Sequence, residues 1–385
     1  MRIIRLFFTW MAVIFLIAIF GLKLTGNDHL RKAVANTYLV GQVGPGIDEY
    51  DIFESRIVKT GSPTKIPVGD KYRKLKVDGD LMEKIESYDP AALLIIENGN
   101  IIYDRYWEGY SAESLTNSFS AGKSIVGLSI GKCIDLGLIK DIDQKVIDVI
   151  PELNGKFRDQ VTFKHLMQMT SGINFDESYG NPFGFMAKAY YGTELLEETL
   201  KYEAEIEPGS VWKYSGGNTI LLGVIVERVS GQNISDFVST HFWKPLGAAH
   251  EALWNLDKKD GIEKAYCCFY SNAEDFSRFG SLLLNDGMAY GKRILSRSFM
   301  DEMKKPVVLN SGEVIPHYGY QCWKVQYRDE NIVYARGIFG QYIIAIPELN
   351  VVIVRLGHRR GDKDDKNHPI DVYHYIDLAY DLSSQ

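Results

Sequence analysis

Four serine–lysine pairs in this chain share the spacing Ser-x-x-Lys: Ser62/Lys65, Ser120/Lys123, Ser129/Lys132 and Ser210/Lys213. On a helix, residues at i and i+3 share a face, so a hydroxyl and an amine at this spacing can meet. An amine held out of water loses proton affinity and can serve as a base. A hydroxyl beside such a base is an activated nucleophile, the device of serine acyl-transfer chemistry. Context separates the four. Pro63 keeps Ser62 and Lys65 out of an inner helical turn. Ser210 follows Pro208-Gly209 and lies in a turn. Ser129 lies nine residues beyond Ser120, which at roughly 100° per residue puts it on the opposite helix face. Ser120 alone opens a helix, where exposed N–H groups can also steady an oxyanion. Gly122, Gly127 and Gly131 let neighbouring backbone approach that helix. A serine at this place can also be no more than a helix cap, so its meaning depends on partners elsewhere.

Two later stretches offer partners. Glu207-Pro208-Gly209-Ser210-Val211-Trp212-Lys213-Tyr214-Ser215-Gly216-Gly217-Asn218 is turn-rich and leads into an apolar helix. Tyr214, held beside a cationic lysine, can pass a proton between the serine hydroxyl and a leaving group; alone it reads equally well as a packed tyrosine. Arg336-Gly337-Ile338-Phe339-Gly340-Gln341 interrupts two strands. Glycines inside a strand pattern mark close approach of backbone, and an oxyanion needs two N–H donors. Ser120 and Ile338 are the expected pair, with Arg336, Gly337, Gly340 and Gln341 as the substrate-binding edge. A simple β-bulge between Tyr334 and Tyr342 is the alternative.

The elements that must position these residues follow from pattern. Ala91–Glu97 and Ile101–Trp107 are strands joined by an Asn98-Gly99 hairpin turn. Ile332–Ala335, Tyr342–Ile346 and Val351–Leu356 are strands near the other end, and Gly319–Val325 alternates like one. Asn272–Leu284 and Ile370–Leu382 read as helices. Strands at both ends with helices between imply an α+β fold, an antiparallel sheet flanked by helices with an inserted all-helical region. The expected divisions are a signal anchor or transmembrane segment over 1–26, an extended lead-in over 27–74, a sheet domain from 75–140 and 264–385, and a helical domain over 141–263. The active site is expected at their junction. The aromatic loop from Ile173 to Tyr191 would border it, and the charged loop Arg359–Asn367 reads as solvated.

The chain has 385 residues and a net charge of −7. No basic stripe with interleaved aromatics occurs, so nucleic-acid binding has no support. Arg2 and Arg5 precede an uncharged run, Leu6–Leu22, near the lower limit of a membrane span. This predicts an uncleaved anchor with its amino terminus in the cytoplasm, the catalytic part lying outside, periplasmic or extracellular. Cys267 and Cys268 are adjacent and not expected to pair with each other. A bridge to Cys322 is open, and Cys133 reads as core. Cysteine and histidine spacings fit no zinc site, and the proposed chemistry requires no metal or cofactor.

The chain resembles the serine β-lactamase-like, penicillin-recognising hydrolases: class C β-lactamases, DD-peptidases, family esterases and 6-aminohexanoate-dimer hydrolases. The resemblance rests on Ser120-Ala121-Gly122-Lys123, Val161–Gly172, Pro208–Ser215, Lys244-Pro245-Leu246-Gly247 and Gly291–Ser296, in that order. It implies Ser120 as acylated nucleophile, Lys123 as its base, Tyr214 as proton shuttle and the Ile338 N–H as oxyanion donor. Enzymes acting on β-lactams usually carry Tyr-x-Asn and Lys-Thr-Gly. Here stand Tyr214-Ser215-Gly216 and Ala335-Arg336-Gly337, and Gly337-Ile338-Phe339-Gly340-Gln341 looks most like the 6-aminohexanoate-dimer hydrolases. The expectation is therefore a serine hydrolase of a small amide or ester. A DD-peptidase or β-lactamase, and a non-catalytic sensor or scaffold, are the alternatives.

Overall fold

Pro90–Glu97 (β1) and Asn100–Tyr106 (β2) join Trp323–Tyr327 (β3), Glu330–Gly337 (β4), Gln341–Ile346 (β5) and Val351–Gly357 (β6) in one sheet. In this computed structural model, which describes residues 2–41 and 44–385, the order is β3-β4-β5-β6-β1-β2 and every pairing is antiparallel. Met1, and Gln42 and Val43 of the expected lead-in, lie outside the described residues. The sheet closes the two ends of the chain on each other through β6 and β1, with Val352 opposite Ile96 and Val354 opposite Leu94. Asn98 and Gly99 take φ of 51° and 76°, the left-handed pair that a tight hairpin requires.

The central strands read as continuous apolar runs because both faces are buried. Alternate residues serve the two faces. Leu94, Ile96, Val352, Val354 and Ile343 belong to one core; Leu93, Ile95, Ile344 and Ile353 belong to the other. Five helices frame the molecule: Arg2–Leu24 (α1), Gly122–Asp135 (α2), Gly216–Ser230 (α3), Ala273–Leu284 (α4) and Ile370–Ser383 (α5). α2 and α3 carry apolar residues on every side and are correspondingly buried, as helices inside a core must be. α4 is capped by the Asn272 side chain, which accepts the Asp275 N–H. α4 packs directly on the sheet at Gly280, where an added Cβ would stand 2.4 Å from Val352 Cγ1. α5 covers the opposite face with Gly79–Glu86.

Three expectations change. The transmembrane segment forms α1, and Phe7, Trp10, Ile14, Ile17 and Phe20 on it are exposed. Among the described residues, however, no helix is long and apolar enough to cross a membrane. Arg2, Arg5 and Lys23 bound an apolar stretch that was already short for a span. Second, a four-stranded sheet links Ser55–Val58, Ala252–Asn255, Phe269–Ser271 and Thr116–Asn117. Parts of the lead-in and of the region read as helical therefore supply strands, each too short to show alternation. Third, the strand expected from Gly319 starts at Trp323. Gly319 N–H donates to Cys322 O and Gln321 takes φ of 53°, so the preceding residues form a turn.

Candidate active site

The small sheet delivers the nucleophile segment. Thr116 and Asn117 pair with Ser271 and Tyr270, and the chain then tightens into a 3-10 turn, Phe119–Ala121, that runs into α2. Phe119 has φ of 43°, a strained conformation for a bulky residue that the surroundings must hold. The Asn117 side chain does so, its Oδ1 accepting the Phe119 N–H at 2.8 Å and the Cys268 N–H at 3.0 Å.

One turn later Lys123 is 1% exposed. Its Nζ lies 3.0 Å from Ser120 Oγ and 2.9 Å from the Tyr266 carbonyl oxygen. The rings of Tyr214 and Tyr266 flank the amine, with centroids at 5.2 and 5.5 Å. The other three Ser-x-x-Lys pairs form no such contact. Ser129 Oγ donates to Ile125 O and Lys132 Nζ to Ile294 O; Ser210 donates to Glu207 O and Lys213 to Phe175 O. Ser62 lies in an irregular loop.

Cys267 and Cys268 form a disulfide with each other, contrary to expectation, while Cys133 and Cys322 are free and buried. Cys268 takes φ of 63°, which turns neighbouring side chains toward one another, an arrangement that extended backbone would forbid. The bridge lies between the two attachments of the site. Tyr266, just before it, holds Lys123, and Cys268 shares Asn117 Oδ1 with Phe119.

The edge of β4 closes on the nucleophile turn at Gly337. A Cβ there would stand 2.3 Å from Ser118 O, so the glycine serves a close backbone approach. Ile338–Gly340 follows as a 3-10 turn with Phe339 at φ 62°. The Phe339 ring meets the Phe119 ring edge-on at 5.5 Å. Two strained phenylalanines thus brace each other, one beside each expected oxyanion donor.

Ser120, Tyr214, Arg336, Gly337 and Ile338 share a cleft of ≈320 Å³. Gly340 and Gln341 do not line it. Gln341 is 1% exposed; its Nε2 donates to Ile338 O and Gly357 O, and its Oε1 accepts the Gly357 N–H. Gly340, at φ 84°, leaves room for Arg355, whose Nη1 donates to the Phe339 and Gly340 carbonyls. Both residues set the turn that presents Ile338 and have no contact surface for a substrate. The cleft also uses residues that the sequence reading passed over. Trp212 and Trp323 form aromatic walls, and Arg360, Lys363 and Asn367 enter from the loop read as solvated. Glu177 lines it too, its carboxylate accepting the Gly216 N–H at 2.7 Å and the Tyr179 hydroxyl at 3.0 Å. No spacing pattern could have found them, since they come from four separate segments.

The model of the family described as Beta-lactamase matches residues 83–374. A 6-aminohexanoate-dimer hydrolase of Paenarthrobacter ureafaciens is 26% identical over 295 residues, covering 72% of this chain and 74% of that protein. A solved Bacillus anthracis structure, provisionally named a 6-aminohexanoate-dimer hydrolase, superposes with a TM-score of 0.75 at 22% identity, covering 88% and 94% of the two chains. A family VIII carboxylesterase superposes at 0.62 with 17% identity, covering 84% and 99%. The two structural likenesses carry the fold.

Proposed function

The chain belongs to the Beta-lactamase family over residues 83–374, and from that premise we propose a serine hydrolase that cleaves a small amide or ester through an acyl-enzyme on Ser120. Ser120 Oγ attacks the substrate carbonyl carbon while Lys123 accepts the hydroxyl proton. The tetrahedral oxyanion is received by the N–H groups of Ser120 and Ile338. Collapse breaks the bond to the leaving amine or alcohol, which takes a proton through Tyr214. Water then attacks the ester on Ser120, with the same groups moving its proton, and releases the acid.

The observation that carries this reading is the 3.0 Å contact between a buried amine and the Ser120 hydroxyl, the amine's other partner being a carbonyl. In the resting contact the amine donates; once neutral it can accept the proton in reverse. The P. ureafaciens relative and the carboxylesterase fold support an amide or ester substrate. The lysine usual in enzymes acting on β-lactams is absent, Ala335 standing in its place with Arg336 one position on, which weighs against that class; trapping of labelled penicillin would restore it. A place for the catalytic part outside the cytoplasm, periplasmic or extracellular, completes the proposal; it is supported by Arg2 and Arg5 ahead of the uncharged run Leu6–Leu22, and fractionation of cells expressing the full chain tests it.

The deciding experiment treats the full chain and Ser120→Ala with a fluorophosphonate probe and a chromogenic short-chain ester. Labelling and turnover are expected in the parent alone. Equal turnover in the variant overturns the assignment, and failure of the parent to react with any acylating probe favours a non-catalytic scaffold.

A further inference from the structure

The turn that presents the Ile338 N–H is held from behind by a buried cation. Arg355 lies on β6, opposite Tyr342 of β5, and is 0% exposed. Its Nη1 donates to Phe339 O at 2.6 Å and to Gly340 O at 2.8 Å, and its Nη2 donates to Tyr88 O. One guanidinium therefore ties the turn to the chain entering β1. Two glycines make room for it. An added Cβ at Gly340 would overlap Nη1, and one at Gly357 would stand 2.7 Å from Cζ. The remaining carbonyl of the turn, Ile338 O, accepts from Gln341 Nε2 at 3.1 Å. All three carbonyls of Ile338–Gly340 are thus received by buried side chains.

An ion pair does not account for this arginine. Asp371 on α5 is also fully buried, and both residues bear electrostatically on the Tyr342 and Tyr375 hydroxyls. Yet Asp371 Oδ1 accepts from the Tyr342 hydroxyl and the Gly361 N–H, while Asp371 Oδ2 and Arg355 Nε each lack a protein partner. The Tyr375 ring stands 5.8 Å from the guanidinium, at the outer limit of a cation–π contact. Burying a guanidinium without a counter-ion is costly, so the contacts it does make must offset that cost. Those contacts are the carbonyls of the turn and of Tyr88. Charge-assisted bonds are roughly twice as strong as neutral ones, and a guanidinium holds its donors in one fixed plane. Phe339, at φ 62°, needs such restraint, because a bulky left-handed residue persists only where its surroundings over-determine it. The restraint reaches both oxyanion donors. Ile338 adjoins Phe339, whose ring meets that of Phe119, the neighbour of Ser120.

We propose that Arg355 is a positioning residue of the hydrolase, holding the Phe339 and Gly340 carbonyls so that the Ile338 N–H points where the oxyanion forms. Arg355 does not line the cleft and acts through the turn. The inference rests on the serine-hydrolase reading above and adds a residue to its machinery. The oxyanion develops only as Ser120 attacks, so a turn set loose should slow the chemical step and leave substrate binding alone.

The test compares Arg355→Lys with the parent in the full chain, by single-turnover acylation with a chromogenic short-chain ester and by inhibition with an alkyl boronic acid. The boronate formed on Ser120 puts an oxygen where the oxyanion would lie. Lysine keeps the charge but loses the planar fork. The acylation rate is expected to fall roughly 10²-fold, the scale of one lost oxyanion donor, with the half-saturating ester concentration unchanged within about twofold. The boronic acid should bind the variant more weakly by a similar factor. Arg278→Lys is the matched control, since Arg278 is also 0% exposed and donates to the carbonyls of Leu246 and Thr64. It should lower the thermal midpoint and leave the acylation rate unchanged. An unchanged rate in folded Arg355→Lys overturns the proposal. So does a loss explained by weaker ester binding, or an equal loss in Arg278→Lys, since either marks a merely structural role. If Arg355→Lys does not fold, Gly340→Ala displaces the guanidinium with its Cβ instead. A rate equal to the parent's then overturns the proposal, and a fall at constant half-saturation supports it. Ser120→Ala separates the two readings. Turnover surviving in it overturns the serine mechanism and this inference with it. Turnover lost in it, with the parent's rate kept in Arg355→Lys, overturns this inference alone.

Discussion

The two corners of the cleft are built in opposite ways. Around Ser120 the parts are tied by direct hydrogen bonds, most of them buried: Lys123 one helical turn away, the Tyr266 carbonyl on it, and Asn117 Oδ1 holding both Phe119 and Cys268. Around Arg336 the parts come from β3, β4 and a long loop, and Lys363 is exposed at the rim. Bond-making needs atoms fixed to fractions of an ångström, which packing and hydrogen bonds in a core supply. Charged groups around a cleft tolerate looser placement, because Coulomb forces vary slowly with distance. The first corner is therefore the rigid one, and the second is where a change of substrate would cost least.

Breaking the rigid corner should have the largest effects. Lys123→Ala removes the one amine that, among the described residues, bonds Ser120 and is expected to lower kcat by roughly 10³-fold, within the range for a general base. Single-turnover acylation by a chromogenic ester measures it. A loss below about tenfold would mean that Ser120 takes its activation from another group. Next comes Gly337→Ala. Gly337 has φ of −113°, which any residue adopts, so the cost lies in the contacts its Cβ would make, above all at 2.3 Å from Ser118 O and also at 3.1 Å from Gln341 Cβ. The strand edge must retreat, carrying Ile338 away from the oxyanion. A fall in kcat of roughly 10²-fold, the scale of a 1 Å misplacement, is expected. An intact thermal midpoint with kcat unchanged would break the link between the two segments.

The same contrast explains what the sequence revealed. Ser120, Lys123 and Tyr214 stand in motifs whose spacing follows from helix geometry or from one turn-rich segment, and the long strands announce themselves by apolar runs. Gly337 was legible because a glycine in a strand has few other uses. Gly340 and Gln341 were misread for the same reason: a turn rich in such residues looks like a contact surface, whereas Gln341 spends its amide on Ile338 and Gly357. Arg360 and Lys363 could not be recognised, since a run of charge is the ordinary signature of a solvated loop. Only the β6–α5 connection, folding back until Asn367 O accepts from Arg336, turns that loop into a wall. The small sheet was hidden by the brevity of its strands, two to four residues each. The Cys267–Cys268 bridge depends on one left-handed residue, which a cysteine does not advertise.

The smallest expected effect sharpens the second corner. Lys363 titrates at about 8, lowered by desolvation and then by Arg336 and Arg360. Below that value its charge is present, and the folded state bears the cost of holding three cations together. As pH rises through about 8 the proton leaves the folded protein before it would leave the unfolded chain, where the amine keeps its ordinary value of 10.5, so this group's contribution to stability rises. Lys363→Met never carries the charge and should be the more stable protein at pH 7, by under about 1 kcal/mol because the amine stands partly in solvent. The gap should close as pH climbs from about 8 toward 10.5, and urea midpoints of the two proteins at each pH measure it. In Lys363→Arg the charge persists across that range, so its deficit against Lys363→Met should stay level. A parent that closes no gap would mean that solvent screens Lys363 from Arg336 and Arg360. The cations of the second corner would then be independent of one another, whereas a gap that closes in the parent alone ties all three to one shared space.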